Sequence, residues 1–149
     1  MKNIDLLNLA NAGILGITAN DLDASQAYKV LKFKRAVRKA FESLSEAEKD
    51  ALKEAGIEDG AAFDKERKEL SESGSNPARL EELDKQLARY NELRQALYKE
   101  DAGLADCKTM PYSDFHALQK ENAEMKYKPL NAFEDLLEGV LWAEEENNQ

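Results

Sequence analysis

Cys107 and His116 are the one thiol and the one imidazole in this 149-residue chain, and together they would make a nucleophile and a base. They lie nine positions apart, across a loop and a helix start, and no motif supplies a third group to orient the base. They read as an incidental thiol and a surface or interfacial imidazole. His116 follows Asp114 by two positions, so the Glu-x-x-His spacing of a di-iron bundle is missing, and a zinc site would need a second His or more Cys. Neither G-x-G-x-x-G nor G-x-x-x-x-G-K-[ST] occurs, so no phosphate cradle announces itself. Carboxylate pairs abound, but among 30 acids they carry little information about acid–base work. The expectation is a protein that is not an enzyme, with no cofactor and no metal.

The chemistry that stands out is electrostatic. "YKVLKFKRAVRK", residues 28–39, holds six of the 21 basic residues and none of the 30 acids, in a chain of net charge −9. At about 100° per residue, Val30, Phe33, Ala36, Val37, Ala40, Phe41 and Leu44 fall within an arc of roughly 140°, the face to be buried. Lys32, Lys34, Arg35, Arg38 and Lys39 occupy much of the opposite side, with Tyr28 and Leu31 among them and Lys29 near the border. Three readings stay open. The face is a solvated helix surface, or it meets the six acids of residues 129–149 in the same chain or a neighbour, or it binds an external polyanion with Tyr28 as a stacking residue. The strong net negative charge opposes nucleic acid and anionic membranes elsewhere on the surface. Trp142, beside Val140 and Leu141, is either a core anchor or a partner-binding hot spot.

These residues need elements to hold them. The length suits one domain, 1–149, able to bury roughly two-thirds of its unfolded surface, with a polar tail at about 144–149. Seven Gly, three Pro and an abundance of Ala, Glu, Lys, Leu and Arg favour helix. A short helix is expected over Ile4–Ile17, although Gly13 and Gly16 weaken it. Asp23, with Gln26 three residues on, caps a main helix whose stripe runs Val30, Phe33, Val37, Ala40, Leu44, Ala47 and Ala51 as far as Gly56. "SEAE" at Ser45 is a second capping box, leaving one long helix or two shorter ones.

A polar helix follows over "AAFDKERKELSE", and Asn76 and Pro77 then start a second strong stripe, Leu80, Leu83, Leu87, Tyr90, Leu93 and Leu97, up to Gly103. The fold class expected is all-α, a small bundle built on an antiparallel pair of these two long helices plus shorter ones. Ser113 would cap "DFHALQKENAEM", Pro129 would break it, and Asn131 with Glu134 would cap a last helix facing inward through Phe133, Leu136, Leu137, Val140 and Leu141. No apolar run reaches the ~20 residues of a spanning helix, and the N-terminal stretch is a poor signal peptide, so a soluble cytoplasmic protein is expected.

The opening "IDLLNLANAGILGITANDLDASQAYKVLKFKRAVRKAFESL", with the terminal "FEDLLEGVLW", resembles a group of short helical proteins encoded in phages and prophages. The resemblance implies small size and an accessory part in virion assembly or host takeover, and transfers no functional residue. The expected function is protein interaction or assembly, through a protein partner or self-association. The surface expected to carry it comprises Tyr28, Lys29, Lys32, Lys34, Arg35, Arg38, Lys39 and Trp142. The alternative is a nucleic-acid-binding or regulatory module using the same basic face.

Overall fold

The computed structural model describes residues 1–144. Among these the chain forms seven α-helices, a short 3-10 turn and two strands of two residues each, a mainly helical protein. It packs as two compact units, one of Met1–Glu42 with the described residues from Asp101 onward, the other Ser43–Glu100.

In the first unit, α1 spans Asn3–Asn11 and buries Leu6 and Leu9. It stops earlier than the apolar spacing suggests. Gly13 takes a left-handed conformation (φ 89°) that a side chain would strain, and Ile14–Gly16 continues as the 3-10 turn. Ile14 and Ile17 are nonetheless fully buried, so the apolar pattern is kept while the helix is not. The helix α2 covers Ala24–Glu54 without interruption, which settles the ambiguity at Ser45 in favour of one helix. Its start is fixed by Asp23, whose carboxylate accepts from the Gln26 N–H at 3.0 Å and whose carbonyl accepts from Ala27 at 2.9 Å. Val30, Phe33 and Val37 are buried at 2%, 0% and 0% exposure, each contributing about 1.5–3 kcal/mol of transfer free energy as an upper bound.

The end of the described chain differs most from expectation. The strand β1 (Met110–Pro111) leads straight into α5 (Tyr112–Glu121), with Pro111 at the N-cap position and no side-chain cap from Ser113. After Lys128, left-handed at φ 40°, Pro129 opens α6 (Pro129–Ala132) and α7 follows at Glu134–Leu137. The single last helix is therefore replaced by two four-residue turns. Asn131 lies inside α6 rather than capping, and Gly139 (φ 82°) turns the chain so that β2 (Trp142–Ala143) pairs in parallel with β1. Leu137 and Leu141 are buried all the same, and the Met110 N–H donates to the Leu141 carbonyl at 2.9 Å.

In the second unit, α3 (Gly60–Ser73) packs against α4 (Pro77–Lys99). Asp59 caps α3 by accepting from Ala61 and Ala62, and Asn76 caps α4 by accepting from Arg79, with Pro77 in the first turn where its missing N–H costs nothing. The core is small: Ala55, Ile57, Phe63 and Leu83 are buried, with Leu52, Leu70, Leu87 and Tyr90 half-buried around them. Gly56, at φ 83°, turns the chain out of α2. Among the described residues no helix is long and apolar enough to cross a membrane.

Candidate interaction surface

Because Asp23 sets where α2 begins and Val30, Phe33 and Val37 set which side is buried, the remaining residues of 28–39 have little freedom in where they point. Two of the six cations turn back into the protein. The Lys29 ammonium donates to the Thr109 carbonyl at 3.0 Å, and the Lys34 ammonium to the Ile17 carbonyl at 2.8 Å. Both lysines are half-buried, and each ties α2 to a loop lying along one of its flanks. Grouping them with the surface cations is thus corrected: they are struts that satisfy backbone acceptors, their stems covering apolar surface.

The other four remain outside. Lys32, Arg35, Arg38 and Lys39 are exposed, and none of them forms an ion pair among the described residues. Tyr28 and Leu31 stand among them at 53% and 55% exposure. The Lys32 ammonium lies 5.2 Å from the centre of the Tyr28 ring, so one ring face is already taken by a cation. The first of the six cations, Lys29, sits in the second turn of α2, beyond the first turn where the macrodipole penalty is concentrated.

An open groove runs along each flank of this ridge. On one side Ala27, Val30, Leu31 and Lys34 face the loop Ile17–Asn20 across about 260 Å³. That loop is held by the C-terminal end of α5. The Glu121 carboxylate accepts from the Asn20 N–H at 2.9 Å and the Asp21 N–H at 2.6 Å, and from the Thr18 hydroxyl. Asn122, buried, accepts from the Thr18 N–H at 2.8 Å and donates to the carbonyls of Thr18 and Leu118 at 2.9 and 2.8 Å. Partial burial opposes the charge on Glu121, but these donors outweigh it and hold its carboxyl below the usual range.

On the other side Lys32, Arg35, Ala36 and Lys39 face Gly103, Asp106 and Cys107 across about 300 Å³ of largely apolar lining. The opposing loop is shaped by Gly103 at φ 76°, whose N–H donates to the Asp101 carboxylate at 2.7 Å, and anchored by buried Leu104. Burial, with Asp106 beside it, pushes the Cys107 thiol up, away from the reactive thiolate.

Trp142 lies elsewhere and inside. It is 7% exposed, its ring stacked on Phe115 (5.7 Å, 26°) and edge-on to Tyr112 (5.0 Å, 68°), and its indole N–H donates to the Glu134 carbonyl at 2.8 Å. Of the two roles the sequence left open, the structure places it in the core. The same region holds a network that sequence reasoning missed. The Glu134 carboxylate accepts from the Tyr112 hydroxyl at 2.8 Å and from the Gln119 amide at 2.9 Å, which lowers its carboxyl below the usual range. His116 is exposed, with Nδ1 3.3 Å from the Gln119 amide oxygen. Among the described residues no ion pair joins 28–39 to 129–144, and the remaining acids of the tail, Glu145 and Glu146, lie outside the described residues. Nor does any group of three or more His, Cys, Asp or Glu among the described residues suit a metal ion. Comparison of the chain with protein-family models, curated proteins and solved structures finds no match.

Proposed function

We propose that the chain is a non-enzymatic helical interaction protein that binds another protein, a second copy of itself included, through the exposed ridge of α2. The observation carrying this is the set of four exposed cations, Lys32, Arg35, Arg38 and Lys39, that form no ion pair among the described residues and flank exposed Tyr28 and Leu31. Arg and aromatic side chains are enriched at protein interfaces, and charge without an ion-pair partner gives electrostatic complementarity to an acidic partner. The thiol raised by burial and the imidazole engaged with Gln119 support a binding role over a nucleophilic one. The resemblance of residues 3–44 to phage-encoded helical proteins suggests an accessory part in assembly, inside the cell.

The reading extends to the bundle. Tyr98 donates to Glu48 at 3.2 Å and Gln86 to the Gly56 carbonyl at 3.5 Å, so as α4 advances its partner moves back from Gly56, just past the end of α2, to Glu48 near its last turns. This supports an antiparallel pairing of those two segments within the second unit.

A second reading, nucleic-acid binding, draws on the same four cations and on Tyr28. The Lys32 ammonium over the Tyr28 ring counts against it, because a base would have to displace it or use the other ring face. Light scattering over a concentration series, combined with pull-down, tests the first reading. A strict monomer without a protein partner would count against it, while a gel shift that weakens steeply with salt would favour the second.

A further inference from the structure

We infer that the groove between α2 and the loop Gly103–Cys107 is the seat of an acidic amphipathic helix from a partner protein. The inference rests on the protein-binding reading of the α2 ridge and names the chemistry of the partner. Lys32, Arg35, Ala36 and Lys39 recur at steps of three, one and three, so they form one stripe along the groove wall. Three of the four are cations, and none of these is ion-paired among the described residues. The floor between them is apolar, provided by Ala36, Gly103 and the half-buried Cys107, and is large enough at about 300 Å³ for one or two aliphatic side chains.

A ligand that complements this must carry apolar side chains on one line and carboxylates beside it at helical spacing. A bare polyphosphate would satisfy the cations and leave the floor empty. An apolar helix would fill the floor and leave three cations facing nothing. Asp106, at the loop edge, would disfavour a second negative charge there and so fixes which edge of the groove takes the carboxylates.

Cys107, the one cysteine of the chain, reports occupancy directly. The experiment measures the rate of Cys107 alkylation by iodoacetamide in the full chain, with a helical peptide repeating Leu and Glu at heptad spacing, its Lys-for-Glu counterpart, and a single-stranded oligonucleotide as probes. Peptide binding is followed separately by fluorescence anisotropy. At a Leu/Glu peptide concentration about tenfold above its Kd, alkylation is expected to slow about tenfold, in proportion to the free fraction. The Lys peptide and the oligonucleotide should leave the rate unchanged. Lys39→Glu should abolish protection at unchanged helicity. Ala36→Trp, which fills the floor, should do the same, and Lys39→Glu decides the matter if Ala36→Trp does not fold.

Binding of the Leu/Glu peptide that leaves Cys107 as reactive as before overturns the groove assignment while the protein-binding reading stands. Protection by the oligonucleotide but not by the peptide overturns both. Equal protection by the Lys peptide shows that charge does not select the ligand and also overturns the assignment.

Discussion

Some of the second unit's cations meet acids of the same unit, whereas those of α2 residues 28–39 form no ion pair among the described residues. In the second unit Arg67 meets Asp84 at 2.8 Å, Arg79 meets Glu66 at 2.7 Å and Glu82 at 3.0 Å, Lys85 meets Glu81 at 3.5 Å and Arg89 meets Glu92 at 3.4 Å. There acids and bases are interleaved along α3 and α4, and these four cations meet counter-charges within the unit, while Lys49, Lys53, Lys65, Lys68 and Lys99 form no ion pair among the described residues. Within residues 28–39 no acid occurs, and the cations either reach back to a carbonyl, as Lys29 and Lys34 do, or form no ion pair among the described residues. Interleaved charge offers counter-charges within the molecule. Segregated charge is left for something else to meet.

The contrast rests on the scaffolds beneath, and these can be broken first. Phe33 is fully buried under the cationic ridge, and Phe33→Ala should lower stability by about 3–5 kcal/mol in urea unfolding. Leu83→Ala should cost less, toward the lower end of about 2–5 kcal/mol, because Leu83 sits in a small core whose neighbours Leu87 and Tyr90 are half-exposed and free to relax. Equal losses would mean that the second unit is packed as rigidly as the first.

Next in size is the polar pin at the C-terminal end of α5. Asn122→Ala removes two acceptor and two donor contacts and leaves the Thr18 N–H without its partner, so a loss of about 1–3 kcal/mol is expected. Hydrogen exchange should quicken at Thr18 in this variant and stay unchanged on α4.

Smaller still is the acid limb of the stability profile. Glu121 and Glu134 have folded-state carboxyls below the usual glutamate range, so the unfolded chain binds protons more readily than the folded one. Their contribution is fully present above the usual range and fades as pH falls through the lowered folded values. Glu121→Gln should flatten the fall in urea midpoint over that window. An unchanged slope would show that the Thr18–Asp21 loop does not depend on the carboxylate.

Local signals were legible where cap and stripe agreed. Asp23 with Val30, Phe33 and Val37, and Asn76 with Pro77, predict where two long helices begin and, for α2, which face is buried. Three things were hidden. The apolar spacing of Leu137 and Leu141 is kept in a turn-and-strand ending as well as it would be in a helix, and Gly139 was the one residue pointing to the turn. Lys29 and Lys34 look like surface cations because the carbonyls they satisfy, at Thr109 and Ile17, lie 80 and 17 residues away. The Glu121 and Asn122 contacts to Thr18–Asp21 span at least 100 residues, and periodicity along one helix holds no record of them.

The central claim, that the α2 ridge is unused within the molecule, is tested most directly by reversing its charge. Urea midpoints of Arg35→Glu/Arg38→Glu/Lys39→Glu should be compared with those of Arg79→Glu at low and high salt. The triple variant is expected to keep its stability to within about 0.5 kcal/mol at both salt concentrations. Arg79→Glu should fall below the parent at low salt and approach it as salt screens the new repulsion from Glu66 and Glu82. A large loss in the triple variant that salt restores would show that the ridge already has its partner inside the chain, and would contradict the account.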